Sequence, residues 1–243
     1  MNEYPLIDRV GLAGVIVTFD DGLSERANLA AITFRAAVDA EGWSEVTETA
    51  STLVSTFLAV DLAEVAYDEM RDRLAKLLAT RDWYAAELPA GRRLWTIPMC
   101  FDPEVAPQMG EVAEAAGVSE DEARRDLAAS RTRIITLGYL PGQPYMGLLP
   151  KRWDIPRQSN LTPRLPAGAL VIAIRQFVLF TAAMPTGWRH VGQTAFRPFD
   201  LNRDVPIAFA PGDEVRFDPI SVATLKKLES TDSLGGATAE PIS

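Results

Sequence analysis

Hydrophobic positions along this chain follow two periods, one typical of strands and one typical of helices. Leu29, Ile32 and Ala36 recur at helical spacing. Ser24 precedes this run as a capping residue, and Gly42 follows it as a stop. Short apolar runs between turn residues predict strands instead. The two patterns predict strands at 10–19, 43–49, 52–58, 93–99, 133–137, 168–174, 176–181, 189–191, 206–209 and 214–218, and helices at 25–40, 63–80, 108–116 and 119–129.

The order of these elements predicts an α+β protein with two domains. Residues 1–88 contain the first strands and helices and are expected to form a small α/β domain. The proline and glycine of Leu88-Pro89-Ala90-Gly91 suit a linker. Residues 89–229 are mainly β-type with frequent turn signals, which indicates a barrel or a sandwich. Residues 230–243 are rich in glycine, serine and threonine without periodicity, and we predict that they are disordered.

Charge and cysteine content exclude several classes of protein. A net charge of −9 argues against a nucleic-acid binder, which would need a basic face. One cysteine excludes an internal disulfide and indicates a reducing compartment. The N-terminus lacks the basic start and apolar run of a signal peptide. The most apolar stretch, 166–185, contains Arg175 at its middle and is predicted to be two buried strands rather than a membrane helix. We therefore expect a cytoplasmic protein without a membrane contact.

A loop rich in proline and glycine, residues 138–150, separates the predicted strand 133–137 from the later strands. Three glycines and three prolines predict that neither a helix interior nor a central strand runs through it. Pro141-Gly142 suits the centre of a type II turn. Tyr139 and Tyr145 are residues that favour burial. The loop is either the wall of a binding site or a structural cover over a core, and its residues leave both interpretations open.

Most known catalytic motifs are absent from the sequence. The chain has one histidine, His190, and one cysteine, Cys100. A metal site built from several histidines or several cysteines is therefore not possible. Phosphate-binding loops, dinucleotide-binding glycine motifs and nucleophile elbows are also missing. We interpret His190 as a strand histidine without a chemical role and Cys100 as a buried, inert thiol. Arg164 and Arg175 lie among strand hydrophobics, where a guanidinium needs either an internal carboxylate or a bound anion.

An ordered series of motifs resembles one known family. The matching runs are IPMCF (97–101), LGYLPGQPYMG (137–147), TPRLPAGA (162–169), GWRHVGQT (187–194) and PGDEVRF (211–217), together with Gln176. The chain resembles, over roughly residues 8–222, the family that contains the B-type subunit of ATP-dependent 5-oxoprolinase, allophanate hydrolase subunit 1 and the sporulation-kinase inhibitor KipI.

The resemblance implies a small α/β domain followed by a cyclophilin-like β-barrel. It also implies a partner that shares the site, namely a second cyclophilin-like subunit like the C-type subunit of 5-oxoprolinase or allophanate hydrolase subunit 2. Members of the family act in ATP-dependent hydrolysis of 5-oxoproline, resemble part of urea carboxylase, or inhibit a histidine kinase. ATP is therefore the implied cofactor, shared with partner subunits, and no metal site is expected in this chain.

The sequence departs from the family pattern at four places. The turn after Phe101 normally reads GGEFGPD, but residues 102–108 read DPEVAPQ. The helix that follows normally ends with a histidine, but residues 127–130 read LAAS. A stretch that normally reads GGQTGIY has become IRQFVLF at 174–180, and a family arginine is Gln193. Losing the glycines of that stretch predicts a narrower pocket beside the loop.

Three functions fit these residues. The chain is an enzyme subunit of a heteromeric ATP-dependent amidohydrolase, a non-catalytic module that binds a partner such as a histidine kinase, or a diverged relative that binds a new small acid. In the first case Arg164 is expected to hold a substrate carboxylate or a phosphorylated intermediate. The predicted substrate-binding residues are Tyr139, Pro141, Gly142, Gln143, Tyr145, Arg164 and Gln176.

Overall fold

The chain folds into two compact units, Met1–Ala90 and Gly91–Ser243. A computed structural model describes residues 3–61, 63–231 and 233–242. Both units combine helices with sheets that are mainly antiparallel, so the predicted α+β class is confirmed. No helix in the described residues has both the length and the apolar character needed to cross a bilayer.

The first unit is a four-stranded antiparallel sheet with two helices. Its elements are β1 (Leu6–Val10), β2 (Gly14–Thr18), α1 (Glu25–Glu41), β3 (Val46–Ser51), β4 (Ser55–Val60) and α2 (Tyr67–Leu78), with the sheet in the order β1-β2-β4-β3. Ser24 caps α1 by accepting a hydrogen bond from the Ala27 amide, as expected. The core of this unit includes Phe34, whose ring meets Trp83 edge-on at 5.0 Å.

The single strand predicted at 10–19 is confirmed only over Gly14–Thr18, because the chain reverses direction before Gly14. β1 ends at Val10 and pairs with β2 in a hairpin, with Gly11 at a φ of 60° in the connecting turn. The turn also needs a small residue at Gly14, where a Cβ would lie 2.7 Å from the Val10 carbonyl oxygen. The apolar run at 10–19 consists of Val10 from β1, the turn residues 11–13 and β2, and this continuity conceals the turn in the sequence.

The second unit contains the remaining strands and three helices. Its elements are β5 (Arg93–Met99), α3 (Met109–Ala116), α4 (Glu120–Ala128), β6 (Arg131–Leu137), β7 (Pro144–Gly147), β8 (Thr162–Leu165), β9 (Ala169–Ala173), β10 (Gln176–Leu179), β11 (Met184–Thr186), β12 (Arg189–Gln193), β13 (Glu214–Pro219), α5 (Val222–Leu228) and β14 (Thr238–Pro241). Eight strands form one sheet in the order β12-β9-β10-β7-β6-β13-β5-β14, and β8 pairs with β11 separately. Within the described residues, the pairing of β13 with β5 is the parallel one.

One further bridge joins two segments that are far apart in the order of the eight-stranded sheet. Cys100, directly after β5, exchanges backbone hydrogen bonds of 2.8 and 2.9 Å with Gln193 at the end of β12. A large core fills the unit beneath the sheet, with Trp153, Phe177 and Phe196 among its fully buried side chains.

Two expectations about the strands of this unit are wrong. The Pro-Gly region is expected to exclude a central strand, yet β7 lies between β10 and β6. Pro144 is tolerated because it is the first residue of the strand, where its missing N–H costs least. The tail is expected to be disordered, yet β14 pairs antiparallel with β5. The free edge of β5 supplies the backbone partners that the composition of the tail does not reveal.

Candidate functional site

Two backbone hydrogen bonds fix the first part of the Pro-Gly loop (residues 138–150), the turn at 138–143 between β6 and β7. The Gln143 amide donates to the Leu140 carbonyl at 3.1 Å, and the Gly138 amide donates to the Gln143 carbonyl at 3.1 Å. Gly142 has a φ of 67°, which the third position of a type II turn requires. The turn predicted at Pro141-Gly142 is therefore confirmed.

The side chains of this loop have different surroundings. Gly142 is buried, and a Cβ there would lie 3.2 Å from both the Phe199 Cβ and the Pro198 carbonyl oxygen. Gln143 is 2% exposed, and its Oε1 has no hydrogen-bond partner among the described residues. Pro141 is exposed. The expectation that Tyr139 is buried is wrong, because the side chain is 78% exposed on a backbone with a φ of 68°.

The remaining predicted binding residues lie on the neighbouring strands. Tyr145 packs edge-on against Trp188 at 6.2 Å in a small hydrophobic cluster. Gln176 is buried at the start of β10, where it pairs with Gly147 of β7 and Ala173 of β9.

The two arginines expected in a β core are not there. Arg164 is exposed on β8, in the separate two-stranded sheet, and has no ion-pair partner among the described residues. Arg175 occupies the two-residue turn between β9 and β10 with Ile174, and both have a positive φ. Its Nε donates to the Leu149 carbonyl at 2.8 Å. A backbone carbonyl therefore takes the place of the predicted carboxylate or anion.

A cavity of about 930 Å³ lies elsewhere in the second unit. It is bounded by the turn after β5, by α4, and by the segment from β13 into α5. Its walls are mostly apolar, and a few charged groups stand among them. The lining residues are Phe101, Asp102, Pro103, Glu104, Arg124, Arg125, Ala128, Ala129, Phe217, Pro219, Ile220, Ser221, Val222 and Ala223. None of the predicted binding residues lines it.

Hydrogen bonds already engage most of the charged groups in this cavity. Arg124 donates through Nε to the Phe101 carbonyl at 3.1 Å, and its terminal nitrogens reach Glu120 and Asp121 on its own helix. Glu104 pairs with Lys226 of α5 at 3.0 Å. Arg125 is different, since its exposed guanidinium has no ion-pair partner among the described residues. An anionic group entering the cavity would therefore meet the Arg125 cation as well as the exposed carboxylate of Asp102.

Two of the departures from the family pattern meet in this cavity. Asp102, Pro103 and Glu104 belong to the changed turn, and Ala128 and Ala129 belong to the helix end without histidine. They lie more than twenty residues apart in sequence, so only the fold shows that they form one wall. Both changes are visible in the sequence, and their common location is what the sequence does not show.

The single histidine and the single cysteine are both buried. His190 is 5% exposed, and one ring nitrogen lies 2.9 Å from the Gly192 carbonyl oxygen. Burial lowers the pKa of His190, and the hydrogen bond to Gly192 opposes this. Cys100 is fully buried, and burial raises the pKa of its thiol, which agrees with an inert role. No group of three or more His, Cys, Asp or Glu side chains in the described ranges is arranged to hold a metal ion.

Three known proteins show what the chain is similar to. It is 25% identical over 229 residues to the B-type subunit of 5-oxoprolinase from Bacillus subtilis (strain 168), and the match covers 88% of this chain and 92% of that protein. The crystal structure of TTHA0988 superposes with a TM-score of 0.73 at 25% identity, over 86% of this chain and 40% of that one. The Kluyveromyces lactis urea carboxylase shares the fold, with a TM-score of 0.72 at 14% identity, over 97% of this chain and 24% of that one.

These two solved structures are therefore longer proteins of which this chain corresponds to a part. The family described as "Carboxyltransferase domain, subdomain C and D" matches residues 5–209, which is most of the chain. The chain belongs to the carboxyltransferase domain, subdomain C and D family.

Proposed function

We propose that the chain is a subunit of a heteromeric, ATP-dependent assembly that hydrolyses an amide or lactam, of the 5-oxoprolinase or allophanate hydrolase type. The observation that carries this proposal is the correspondence with the B-type subunit of 5-oxoprolinase over 92% of that protein. A match of this extent covers both units rather than one shared motif. The other component is a second cyclophilin-like subunit, ATP is used by the assembly, and the location is cytoplasmic.

The second unit is proposed to be a cyclophilin-like barrel. The bridge between Cys100 and Gln193 supports this, because it links β12 at one end of the eight-strand order to the residue that follows β5 near the other end. A closed sheet hides its edges from other chains. Such a scaffold would hold the surrounding loops rigidly enough to build a site with a partner.

Two locations compete for the substrate within this chain. The 930 Å³ cavity is the better candidate, since ligand sites are concave, largely apolar and about 300–1,000 Å³ in volume. There Arg125 would hold a substrate carboxylate. The site expected from the sequence, built from the Pro-Gly loop, Arg164 and Gln176, remains the alternative. Its support is the exposed Arg164 guanidinium without an ion-pair partner among the described residues.

The cavity supplies binding groups but little acid–base chemistry. Its lining contains no histidine or cysteine among the described residues, and the Glu104 carboxylate is engaged by Lys226. The other lining carboxylate, Asp102, is exposed and accepts a hydrogen bond from the Glu104 amide. We therefore assign substrate binding to this chain and assign the remaining catalytic groups to the partner subunit.

The test is hydrolysis by the reconstituted assembly. The chain is purified with the second cyclophilin-like subunit and any further subunits encoded beside it, and ATP-dependent release of glutamate from 5-oxoproline is measured. Allophanate is the second substrate. If no product forms from either substrate, the enzymatic proposal is refuted.

Three single substitutions then separate the two candidate locations. Arg125→Ala is expected to raise KM about tenfold, equivalent to about 1.4 kcal/mol of lost binding. Arg164→Ala is expected to leave KM unchanged. Lys227→Ala removes an exposed charge from α5 outside the cavity and is the control. If Arg164→Ala raises KM and Arg125→Ala leaves it unchanged, the substrate binds at the Pro-Gly loop instead.

A non-catalytic module that binds a partner is the second candidate. The changed cavity wall favours it, because Ala128 and Ala129 stand where the family has a histidine-containing helix end. In this case the chain would bind a partner such as a histidine kinase and reduce its autophosphorylation. Kinase inhibition by a chain whose assembly hydrolyses nothing would select this function.

A further inference from the structure

A second cavity, of about 300 Å³, lies at the end of β12 in the second unit. It is bounded by the turn before β9, the end of β10, the segment that follows β12 and the segment that follows α5. Its lining is mostly polar and includes Gln193, and it shares no lining residue with the 930 Å³ cavity. We call it the Gln193 cavity.

The side chain of Gln193 has a fixed orientation. Gln193 is 8% exposed, and its Nε2 donates to the Ala167 carbonyl at 2.8 Å and to the Thr194 carbonyl at 3.3 Å. Because carbonyl oxygens only accept hydrogen bonds, the atom that faces them is the amide nitrogen, and this fixes the position of Oε1. Oε1 is buried and has no hydrogen-bond partner among the described residues.

The neighbouring His190 ring does not supply a donor for Oε1. Burial lowers the pKa of His190, so the ring is neutral at pH 7 and carries one N–H. The ring nitrogen that lies 2.9 Å from the Gly192 carbonyl uses this N–H. The Gln193 amide opposes the lowering of the pKa, because only a protonated ring has a second N–H to donate. A buried acceptor without a donor is uncommon in native proteins and requires an explanation.

Backbone hydrogen bonds hold the walls of the Gln193 cavity in place. The Gly168 amide donates to the Phe180 carbonyl at 2.8 Å, and the Thr194 amide donates to the Gly168 carbonyl at 3.0 Å. The Arg197 amide donates to the Ser233 carbonyl at 2.9 Å, which joins the segment after β12 to the segment after α5. A cavity whose walls are already ordered loses little entropy when a ligand binds.

Charges of both signs line the Gln193 cavity. Its charged side chains among the described residues are Arg197, Asp200 and Glu229. Arg197 and Glu229 are exposed, and neither has an ion-pair partner in the described part of the chain. Asp200 accepts hydrogen bonds through Oδ1 from the amide and the side chain of Asn202, at 2.9 and 3.0 Å. The cavity therefore offers one cation and two carboxylates in addition to the Oε1 acceptor.

We infer that the Gln193 cavity binds a small zwitterion of the α-amino-acid type, with its ammonium group on Oε1. An ammonium group has three N–H donors, which suit Oε1 together with the carboxylates of Asp200 and Glu229. The carboxylate of the ligand suits the guanidinium of Arg197. A volume of about 300 Å³ is at the lower end for ligand sites, which favours a molecule of amino-acid size. The inference does not rest on the proposed function, because none of these residues lines the 930 Å³ cavity.

The test measures binding of each standard L-amino acid to the whole chain by isothermal titration calorimetry. The amino acid that binds most tightly is then compared with two analogues, the amine that lacks its carboxylate and the carboxylic acid that lacks its ammonium group. We expect each analogue to bind at least about tenfold more weakly, because each loses the hydrogen bonds of one charged group. Failure of every amino acid to bind, or an analogue that binds as tightly as the amino acid, would refute the inference.

Substitutions locate the bound ligand. Gln193→Met removes Oε1 at nearly constant side-chain length, and Arg197→Ala removes the guanidinium; each should lower the affinity about tenfold. Arg197 is exposed, so its variant tests the inference even if Gln193→Met destabilises the fold. Lys151→Ala, at an exposed lysine that lines neither cavity, is the control and should stay within about twofold of the wild type.

Three results with these variants would overturn the inference. Wild-type affinity of Arg197→Ala would show that the ligand lies elsewhere. A loss of affinity in Arg125→Ala alone would place the amino acid in the 930 Å³ cavity. Wild-type affinity of Gln193→Met, at an unchanged melting temperature, would show that water alone satisfies Oε1. Each of these results leaves the proposed function to be decided by the hydrolysis assay of the reconstituted assembly.

Discussion

Replacing Asp213 with alanine should destabilise the second unit strongly, because this carboxylate joins several donors. Asp213 is 1% exposed. It accepts hydrogen bonds from the Arg93 amide at 2.9 Å, from the Ala210 amide at 3.0 Å and from the Trp95 indole at 3.2 Å. It also pairs with the Arg93 guanidinium at 2.6 Å. One side chain thus joins the start of β5 to the turn before β13.

The expected loss follows from the donors that the substitution leaves behind. An unsatisfied buried donor costs about 1–3 kcal/mol, and the buried Trp95 indole belongs in this class. The two backbone amides are partly buried and add about 1 kcal/mol each. The Arg93 side chain is 36% exposed and can turn to water, so the ion pair itself adds little. We therefore expect Asp213→Ala to lower the free energy of unfolding by about 3–5 kcal/mol.

Urea denaturation, followed by tryptophan fluorescence because Trp95 contacts the mutated carboxylate, measures this loss. Asp218→Ala, at an exposed aspartate on β13, is the matched control and should change stability by less than about 0.5 kcal/mol. Asp213→Asn keeps the shape but replaces one acceptor with a donor, so an intermediate loss is expected. Equal stability of the Asp213→Ala and Asp218→Ala variants would refute the reasoning, because burial and hydrogen bonding would then make no difference.

Other predictions concern buried residues that do not line the 930 Å³ cavity. Because burial lowers the pKa of His190, the unfolded chain binds this proton more readily, so stability is full above about pH 6.5 and falls at lower pH. His190→Gln should remove that slope between pH 7.5 and 5.5 in urea denaturation, and an unchanged slope would contradict it, since the chain has no other histidine. Cys100 should react with a thiol reagent much more slowly in the native protein than in urea, and equal rates would show that it is not buried. Gly168→Ala should prevent folding or cost more than about 3 kcal/mol, because its Cβ would lie 2.2 Å from the Thr194 carbonyl oxygen; a wild-type melting temperature would disprove this.

Elements with strong local signals can be predicted from the sequence. α1 is expected at 25–40 and spans Glu25–Glu41, because both its cap and its stop are local. The Pro141-Gly142 turn is likewise recognisable from two residues. The edge strand β14 has no such signal, since its stability comes from hydrogen bonds to β5, more than a hundred residues earlier. Pairing partners of that kind are set by the fold and leave little trace in local composition.

The candidate cavity shows a different limit of sequence reasoning. The altered turn after Phe101 and the altered end of α4 are each recognisable as departures, but nothing local relates them. The third wall comes from Phe217 and Ile220, where β13 leads into α5. β13 runs parallel to β5, so their carboxyl ends lie together, and Pro219 pairs with Met99. A parallel pairing of distant strands thus brings three separate segments to one place.

Tyr139 is predicted to be buried from the sequence and is exposed in the structure. A tyrosine in an apolar loop is expected to be buried, because its ring gains free energy by leaving water. The turn at Pro141-Gly142 instead buries the glycine against Phe199 and leaves the tyrosine outside in a strained conformation. Holding that conformation costs about 1–2 kcal/mol, which the isolated chain does not recover through contacts of the ring. Residue type alone therefore mispredicts burial here, because the turn fixes the backbone and the backbone decides where the ring lies.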